Sequence, residues 1–153
     1  MILTDLLTPE RIVCKASAPS KKRALEKLSE LISSASPQVG AIEVFDSLLA
    51  RERLGGTGVG YGVAIPHGRL KSENTTLGAF ISLENAIDFD AMDKQPVDLM
   101  FALLVPEQST DEHLQVLAKI ATMFNDGGIR EKLRQASSNT ELYDIIAEWQ
   151  TTH

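Results

Sequence analysis

A glycine-rich segment that leads into a proline and a histidine constrains this chain more than any other feature. Residues 55–68 read GGTGVGYGVAIPHG, with glycine at every second position from 56 to 62. This alternation indicates a shaped loop with unusual backbone angles. Apolar residues 63–65 then predict a short strand, and Pro66 ends it because proline has no backbone donor. We therefore expect His67 at a strand end with open space beside it.

A histidine in that position is a candidate nucleophile. The ordinary pKa of imidazole keeps much of the ring neutral near pH 7, and a neutral ring has a nitrogen lone pair to offer. The pattern predicts chemistry on His67 rather than packing around it. The alternative is a ligand-binding α/β module in which His67 is only a polar contact, and the residues alone leave it open.

Length and composition are typical of one globular domain. The chain has 153 residues, enough to bury a core, and we predict a single domain over residues 1–153. The longest apolar run, residues 99–105, is far shorter than a membrane span, and the first residues do not resemble a secretion signal. The single cysteine, Cys14, excludes an internal disulfide. We expect a cytoplasmic protein without membrane insertion.

Charge argues against a nucleic-acid partner. The formal net charge is −6 and aromatic residues make up only 5%, which leaves neither a basic face nor material for base stacking. The one basic cluster, residues 21–23, lies at a predicted helix start and is interpreted as a solvated helix end.

Apolar spacing predicts an α/β domain with strands in the middle and helices before and after. Ser20 caps the first predicted helix, which ends within residues 33–37, and the second carries apolar positions 42–49 with Arg51 and Arg53 in its last turn. The third helix begins at Ser109 or Thr110 and ends at residues 125–128. The remaining predicted elements are helices over 129–135 and 140–150, strands over 63–65 and 76–83, a nearly all-apolar central strand over 97–105, and an edge strand around 87–89.

Known cofactor and metal motifs are absent. The glycines do not form Gly-x-Gly-x-x-Gly, no lysine completes a phosphate-binding loop, and a strand rather than a helix follows. Histidine and cysteine spacings do not suit zinc, and no Gly-x-Ser-x-Gly elbow occurs. We predict no cofactor and no metal.

Two further residues have a structural and a functional interpretation. His113 fits a partly exposed helix start, but near helix-start amides a second imidazole can also bond a phosphoryl oxygen. Arg51 fits a cationic helix end, but just before the loop its planar fork can also approach His67 and bind a phosphoryl group. The spacing does not decide between these alternatives.

Several segments resemble enzyme IIA of the bacterial phosphotransferase system, in the mannitol/fructose class that includes the nitrogen-regulatory type. The most specific are LLARERLGGTGVG at 48–60 and GVAIPHG at 62–68, and HLQVLAKIA at 113–121 resembles that family's second histidine segment. The nitrogen-regulatory branch fits best because three shorter stretches are similar to it: ILTDLLTP at 2–9, FDAMD at 89–93 and PVDL at 96–99.

The resemblance implies a mixed β-sheet flanked by α-helices on both faces, the mannitol-type IIA fold. It makes His67 the phosphoacceptor and gives His113 and Arg51 supporting catalytic roles. Thr57 and Gly68 would support phosphoryl binding. The family's reaction is phosphoryl transfer between two histidines through a phosphohistidine intermediate, without a cofactor.

The resemblance also implies partners. The phosphoryl donor would be a histidine phosphocarrier protein (HPr/NPr type), and the phosphorylation state would regulate cytoplasmic or membrane-associated proteins. The alternative is a sugar-transport IIA component that passes phosphate to a membrane permease. Two loop residues depart from the family: Tyr61 stands where asparagine is usual, and Gly56 where serine is common.

Overall fold

A computed structural model describes residues 3–71, 75–108 and 111–153. The helices are α1 (Leu3–Leu6), α2 (Lys21–Ala35), α3 (Ala41–Leu54), α4 (Asp111–Phe124), α5 (Gly127–Gln135) and α6 (Asn139–Thr152), with a 3-10 turn at Pro9–Arg11. The strands are β1 (Ile12–Ala16), β2 (Gly58–Gly60), β3 (Val63–Ala64), β4 (His67–Leu70), β5 (Leu77–Ile87) and β6 (Val97–Pro106). In these residues no helix is both long and apolar enough to cross a bilayer.

The strands form one mixed sheet in the order β1-β5-β6-β3-β2. Strand β6 lies at its centre, antiparallel to β5 on one side and parallel to β3 and β4 on the other. Its apolar run was predicted to be a central strand, and this is confirmed. A strand covered on both faces reads as continuously apolar because both sets of alternating side chains are buried.

Helices cover both faces of the sheet, as predicted. Alternate residues of β6 belong to different cores, because successive side chains of a strand point to opposite faces. One core contains Met100, Ala102 and Leu104 with residues of α2 and α3. The other contains Leu99, Phe101 and Leu103 with residues of α1, α4, α5 and α6. The expected α/β class and its layers are therefore confirmed.

The predicted helices form with small changes at their ends. Ser20 caps α2 as expected, since its hydroxyl accepts from the amide of Arg23 at 3.2 Å. Helix α3 includes Arg51 and Arg53 in its last turn. The predicted cap at Ser109 or Thr110 falls outside the described residues.

The separate edge strand predicted around residues 87–89 is wrong. Strand β5 continues as far as Ile87, which pairs with Val97 at the start of β6. The extended chain ends soon afterwards, where Asp90 adopts a positive φ of 55°. Phe89 is completely buried rather than at an edge. Alternation over a few residues cannot separate a new strand from the end of a long one.

Pro66 interrupts a strand without changing its register. Val63 pairs with Leu99 and His67 with Leu103, so both sides of the break keep the same offset along β6. The carbonyl of Pro66 still accepts from the amide of Leu103 at 2.9 Å. His67 therefore lies at a strand end, as expected, because it is the first residue of β4; what the sequence did not predict is that the strand resumes after Pro66.

The glycine-rich segment contains a tight hairpin. Strands β2 and β3 pair antiparallel, and Tyr61 and Gly62 between them have φ values of 58° and 77°. Two central residues with positive φ match the twist of the flanking strands, which is why glycine suits this turn. The prediction of unusual backbone angles holds for this turn.

Candidate functional site

His67 lies in a cleft between the two helical layers. The cleft has a volume of about 680 Å³ and is lined by residues of α3, β4, β6 and α4. The predicted residues Arg51, Gly68 and His113 line it together with His67. They come from separate parts of the sequence and from elements on opposite faces of the sheet, and tertiary packing places them around one space.

The hydrogen bonds of His67 define which ring nitrogen carries the proton. Nδ1 lies 3.0 Å from the carbonyl oxygen of Ile65, which can only accept, so Nδ1 bears the hydrogen. Nε2 lies 3.2 Å from Nε of Arg51, which can only donate, so Nε2 bears the lone pair. The neutral ring thus turns its nucleophilic nitrogen, Nε2, toward Arg51.

The surroundings keep His67 neutral. Burial lowers the pKa of His67 from its ordinary value of 6.5, and the positive charge of Arg51 and the proximity of His113 lower it further. The Ile65 carbonyl and the Glu52 carboxylate act in the opposite direction, but the net shift is downward. A neutral imidazole is the form that can attack phosphorus.

This lowered pKa predicts a specific pH dependence. We expect the His67 ring to titrate at lower pH than histidine in the unfolded chain, as measured by NMR. Because the folded-state pKa is the depressed one, the stabilising contribution of neutral His67 is present above pH 6.5 and is lost as pH falls through the folded-state pKa. A His67 titration midpoint above 6.5 would contradict this arrangement of charges around the ring.

Arg51 is held on two sides. Its Nε donates to His67, and its Nη1 donates to the carbonyl oxygen of Gly55 at 2.7 Å. Gly55 is the residue that ends α3. The guanidinium therefore bridges the start of the glycine-rich loop and the candidate nucleophile, where its charge can stabilise a phosphoryl group.

Gly68 has a structural reason to be glycine. A Cβ at this position would overlap the hydroxyl of Ser47 and lie 3.2 Å from the Ser47 carbonyl carbon. The Ser47 hydroxyl also donates to the carbonyl of Arg69 at 2.8 Å. Glycine thus lets α3 pack closely on β4, one helical turn before Arg51.

We predict that Gly68→Ala destabilises the protein. Helix α3 would have to move away from β4, at a cost of about 1–3 kcal/mol for an overpacked contact. Denaturant unfolding measures this loss. Gly56→Ala is the matched control, since a Cβ there meets its nearest atom at 3.6 Å, an ordinary contact. Equal stability of the two variants would show that the close approach at Gly68 has no energetic importance.

Thr57 is not among the residues that line the cleft. It is 5% exposed, and its hydroxyl donates to the carboxylate of Glu52. Its role in phosphoryl binding stays a prediction.

Glu52 is a residue that the sequence analysis missed. Its buried carboxylate pairs with the ammonium group of Lys21 at 2.9 Å. This pair corrects the interpretation of residues 21–23 as a solvated end at Lys21 only, because Lys22 and Arg23 are exposed as expected.

Comparison with known proteins identifies the family. Residues 5–149 match the family described as "Phosphoenolpyruvate-dependent sugar phosphotransferase system, EIIA 2". The chain belongs to this family. Among the described residues of this EIIA 2 protein, no group of three or more His, Cys, Asp or Glu side chains is arranged to hold a metal ion.

Relatives within the family carry a regulatory name. The chain is 46% identical to the "Nitrogen regulatory protein" of Escherichia coli (strain K12) over 154 residues, covering 98% of this chain and 92% of that protein. It superposes on nitrogen regulatory protein IIA-Ntr from Neisseria meningitidis with a TM-score of 0.88 at 43% identity, covering 94% of this chain and 98% of that one. These findings confirm the resemblance to the nitrogen-regulatory type.

A more distant structure shows the shared fold. IIA mannitol from Escherichia coli superposes with a TM-score of 0.74 at 22% identity, covering 90% of this chain and 96% of that one. The mannitol-type fold expected from the sequence is therefore confirmed.

Proposed function

We propose that this EIIA 2 protein is a regulatory phosphocarrier of the nitrogen-type phosphotransferase system. It accepts a phosphoryl group from a histidine phosphocarrier protein of the HPr/NPr type onto Nε2 of His67, and its phosphorylation state regulates partner proteins. The observation that carries this proposal is the His67 ring, whose lone pair faces a cleft and an arginine. The names of the similar nitrogen regulatory proteins support the regulatory role.

The transfer step needs no base to activate His67. Nε2 attacks phosphorus while the P–N bond of the donor's phosphohistidine breaks, and the electron pair of that bond returns to the donor's ring nitrogen. His67 keeps its Nδ1 proton, which remains bonded to the Ile65 carbonyl. That carbonyl holds the ring orientation and stabilises the positive charge that the ring gains as the new bond forms.

Arg51 and His113 stabilise the phosphoryl group in this scheme. Positioning and charge stabilisation dominate phosphoryl transfer, because the protein makes few covalent changes. Arg51 must release Nε2 before attack, and its N–H groups then turn to the equatorial oxygens. His113, on the α4 side of the cleft, can donate to one of them.

Phosphorylation would change the surface that partners meet. A phosphoryl group adds up to about −2 charge at His67, beside Arg51 and Arg69 in the cleft. Leu54, which also lines the cleft, is 86% exposed. A partner that contacts this rim would therefore meet different charges in the two states, and cytoplasmic partners of this kind are part of the proposal.

The test is intact-mass measurement after incubation with phosphoenolpyruvate, enzyme I and a histidine phosphocarrier protein. We expect one acid-labile phosphoryl group, and fragmentation that assigns it to His67. An unchanged mass would favour the ligand-binding alternative, in which His67 is only a polar contact. Label on a serine or on His113 would reassign the acceptor.

A sugar-transport IIA component is the second candidate, because the family description names a sugar phosphotransferase system. Both candidates use the same step at His67 and differ in the destination of the phosphoryl group. Adding a fructose- or mannitol-type permease domain to the phosphorylated protein separates them. Rapid loss of the label to sugar would support transport, and a retained label would support regulation.

The proposal treats residues 1–153 as one IIA domain. The family match over residues 5–149 and the single mixed sheet support this boundary.

A further inference from the structure

Glu52 presents a charge that the transfer scheme does not use. Its side chain is 2% exposed, although it follows Arg51 directly on α3. The carboxylate pairs with Nζ of Lys21 at 2.9 Å and accepts from the amide of Thr57 at 3.2 Å and from the Thr57 hydroxyl. Burying a carboxylate is costly unless such partners surround it.

These contacts join separate segments of the chain that do not line the cleft. Lys21 begins α2, Glu52 lies in the last turn of α3, and Thr57 directly precedes β2. Lys21 also lies 3.7 Å from the Asp90 carboxylate and 4.7 Å above the ring of Phe89. Glu52 therefore anchors the glycine-rich loop to two helices at the point where the loop leaves α3.

The anchored loop segment holds Arg51. Gly55 lies between Glu52 and Thr57, its amide donates to the Glu52 carbonyl at 3.3 Å, and its own carbonyl accepts from Nη1 of Arg51. The other end of the same guanidinium reaches His67. A shift of residues 55–57 would thus move the arginine relative to the candidate nucleophile.

We propose that Glu52 is a positioning residue for phosphoryl transfer: by binding Lys21 and Thr57 it fixes the Gly55 carbonyl, which keeps the Arg51 guanidinium beside His67, where its N–H groups meet the phosphoryl group once Nε2 is released. This inference rests on the proposed function. In this arrangement Thr57 acts through its hydrogen bonds to the Glu52 carboxylate rather than through direct contact with the phosphoryl group. Glu52 never touches the transferred group.

The kinetic test uses Glu52→Gln and single-turnover phosphorylation by the phosphorylated histidine phosphocarrier protein. We expect the maximal rate to fall about tenfold or more, as for one lost charge-assisted hydrogen bond, with the half-saturating carrier concentration unchanged. Asp46→Asn, the same loss of charge at an exposed position of α3, is the matched control and should keep the wild-type rate. A fall in both variants, or in neither, would overturn the proposal.

Combining variants tests whether Glu52 acts through Arg51. In an Arg51→Met background, Glu52→Gln should cause little further loss, because the group that it positions is gone. Fully additive losses would indicate an independent structural role and would overturn the proposal.

Should Glu52→Gln fail to fold, the pair Thr57→Val and Thr57→Ser tests the same cluster. Serine, which keeps the hydroxyl, should recover most of the rate that valine loses, and equal rates would overturn the proposal.

An NMR measurement separates this inference from the proposed function. The ¹⁵N chemical shift of His67 Nε2 reports whether Arg51 donates to it. In Glu52→Gln that shift should move toward its value in Arg51→Met, and an unmoved shift would overturn the positioning role. Absence of phosphorylation in the wild-type protein would instead overturn the proposed function, and the NMR result would still decide whether Glu52 positions Arg51.

Discussion

Replacing His67 with alanine is expected to abolish phosphorylation by a phosphorylated histidine phosphocarrier protein, whereas alanine at His113 only slows it. In the fold, the lone pair of the His67 ring is defined by a carbonyl on one side and an arginine on the other. In the proposed transfer, removing that ring deletes the attacking atom. In the same scheme, removing His113 deletes one donor to the phosphoryl group, a loss of about 10²-fold in rate.

Phosphoryl incorporation measured over time by intact mass distinguishes these results. His153→Ala is the matched control, because His153 stacks on Trp149 at a ring distance of 4.5 Å and does not line the cleft. It should be phosphorylated at the wild-type rate. Persistent label in His67→Ala would show that another residue is the acceptor, and complete loss in His113→Ala would show that His113 is essential rather than supporting.

The second large effect is expected at Arg51. Methionine keeps much of the side chain's length but removes both the charge and the N–H groups that reach His67 and Gly55. The rate of phosphoryl transfer should fall by about 10²–10³-fold, as for loss of one preorganised donor to a developing charge. Because Arg51 helps to lower the His67 pKa, that pKa should also rise in the variant.

Lysine at position 51 separates charge from geometry. It restores the positive charge but lacks the planar fork, so we expect a rate between those of arginine and methionine. Arg53→Met removes the same charge from an exposed position in the same helical turn and serves as the control. If Arg53→Met were as slow as Arg51→Met, the general charge of the α3 end, not the contact with His67, would be responsible.

Elements governed by local pattern were predictable from the sequence. Continuous apolar residues marked β6, and helical spacing after Ser20 marked α2, because both signals depend on neighbours a few residues away. The edge strand around residues 87–89 was wrong for the same reason. Whether Ile87 ends a long strand or starts a short one depends on its pairing with Val97 of β6, which is a tertiary contact.

The role of Glu52 was missed, although one signal was present. Val44, Leu48 and Glu52 follow each other at four-residue spacing on the buried stripe of α3. A carboxylate on that stripe requires a cationic or hydrogen-bonding partner. The sequence does not reveal that the partners are Lys21 and Thr57, because they come from a different helix and from the loop.

The sequence by itself determined where helices α2–α6 and strands β3, β5 and β6 lie, which family the chain resembles and which histidine the glycine-rich segment presents, but it did not predict α1, β1, β2 or β4. Only the tertiary structure decided the proton position on His67, the contact between Arg51 and Nε2, and the arrival of His113 in the same cleft. The physical reason is that the residues that decide these features lie far apart in the sequence and meet only in the folded protein. Secondary structure follows from local spacing, whereas the state of an imidazole depends on whichever donors, acceptors and charges packing brings around it.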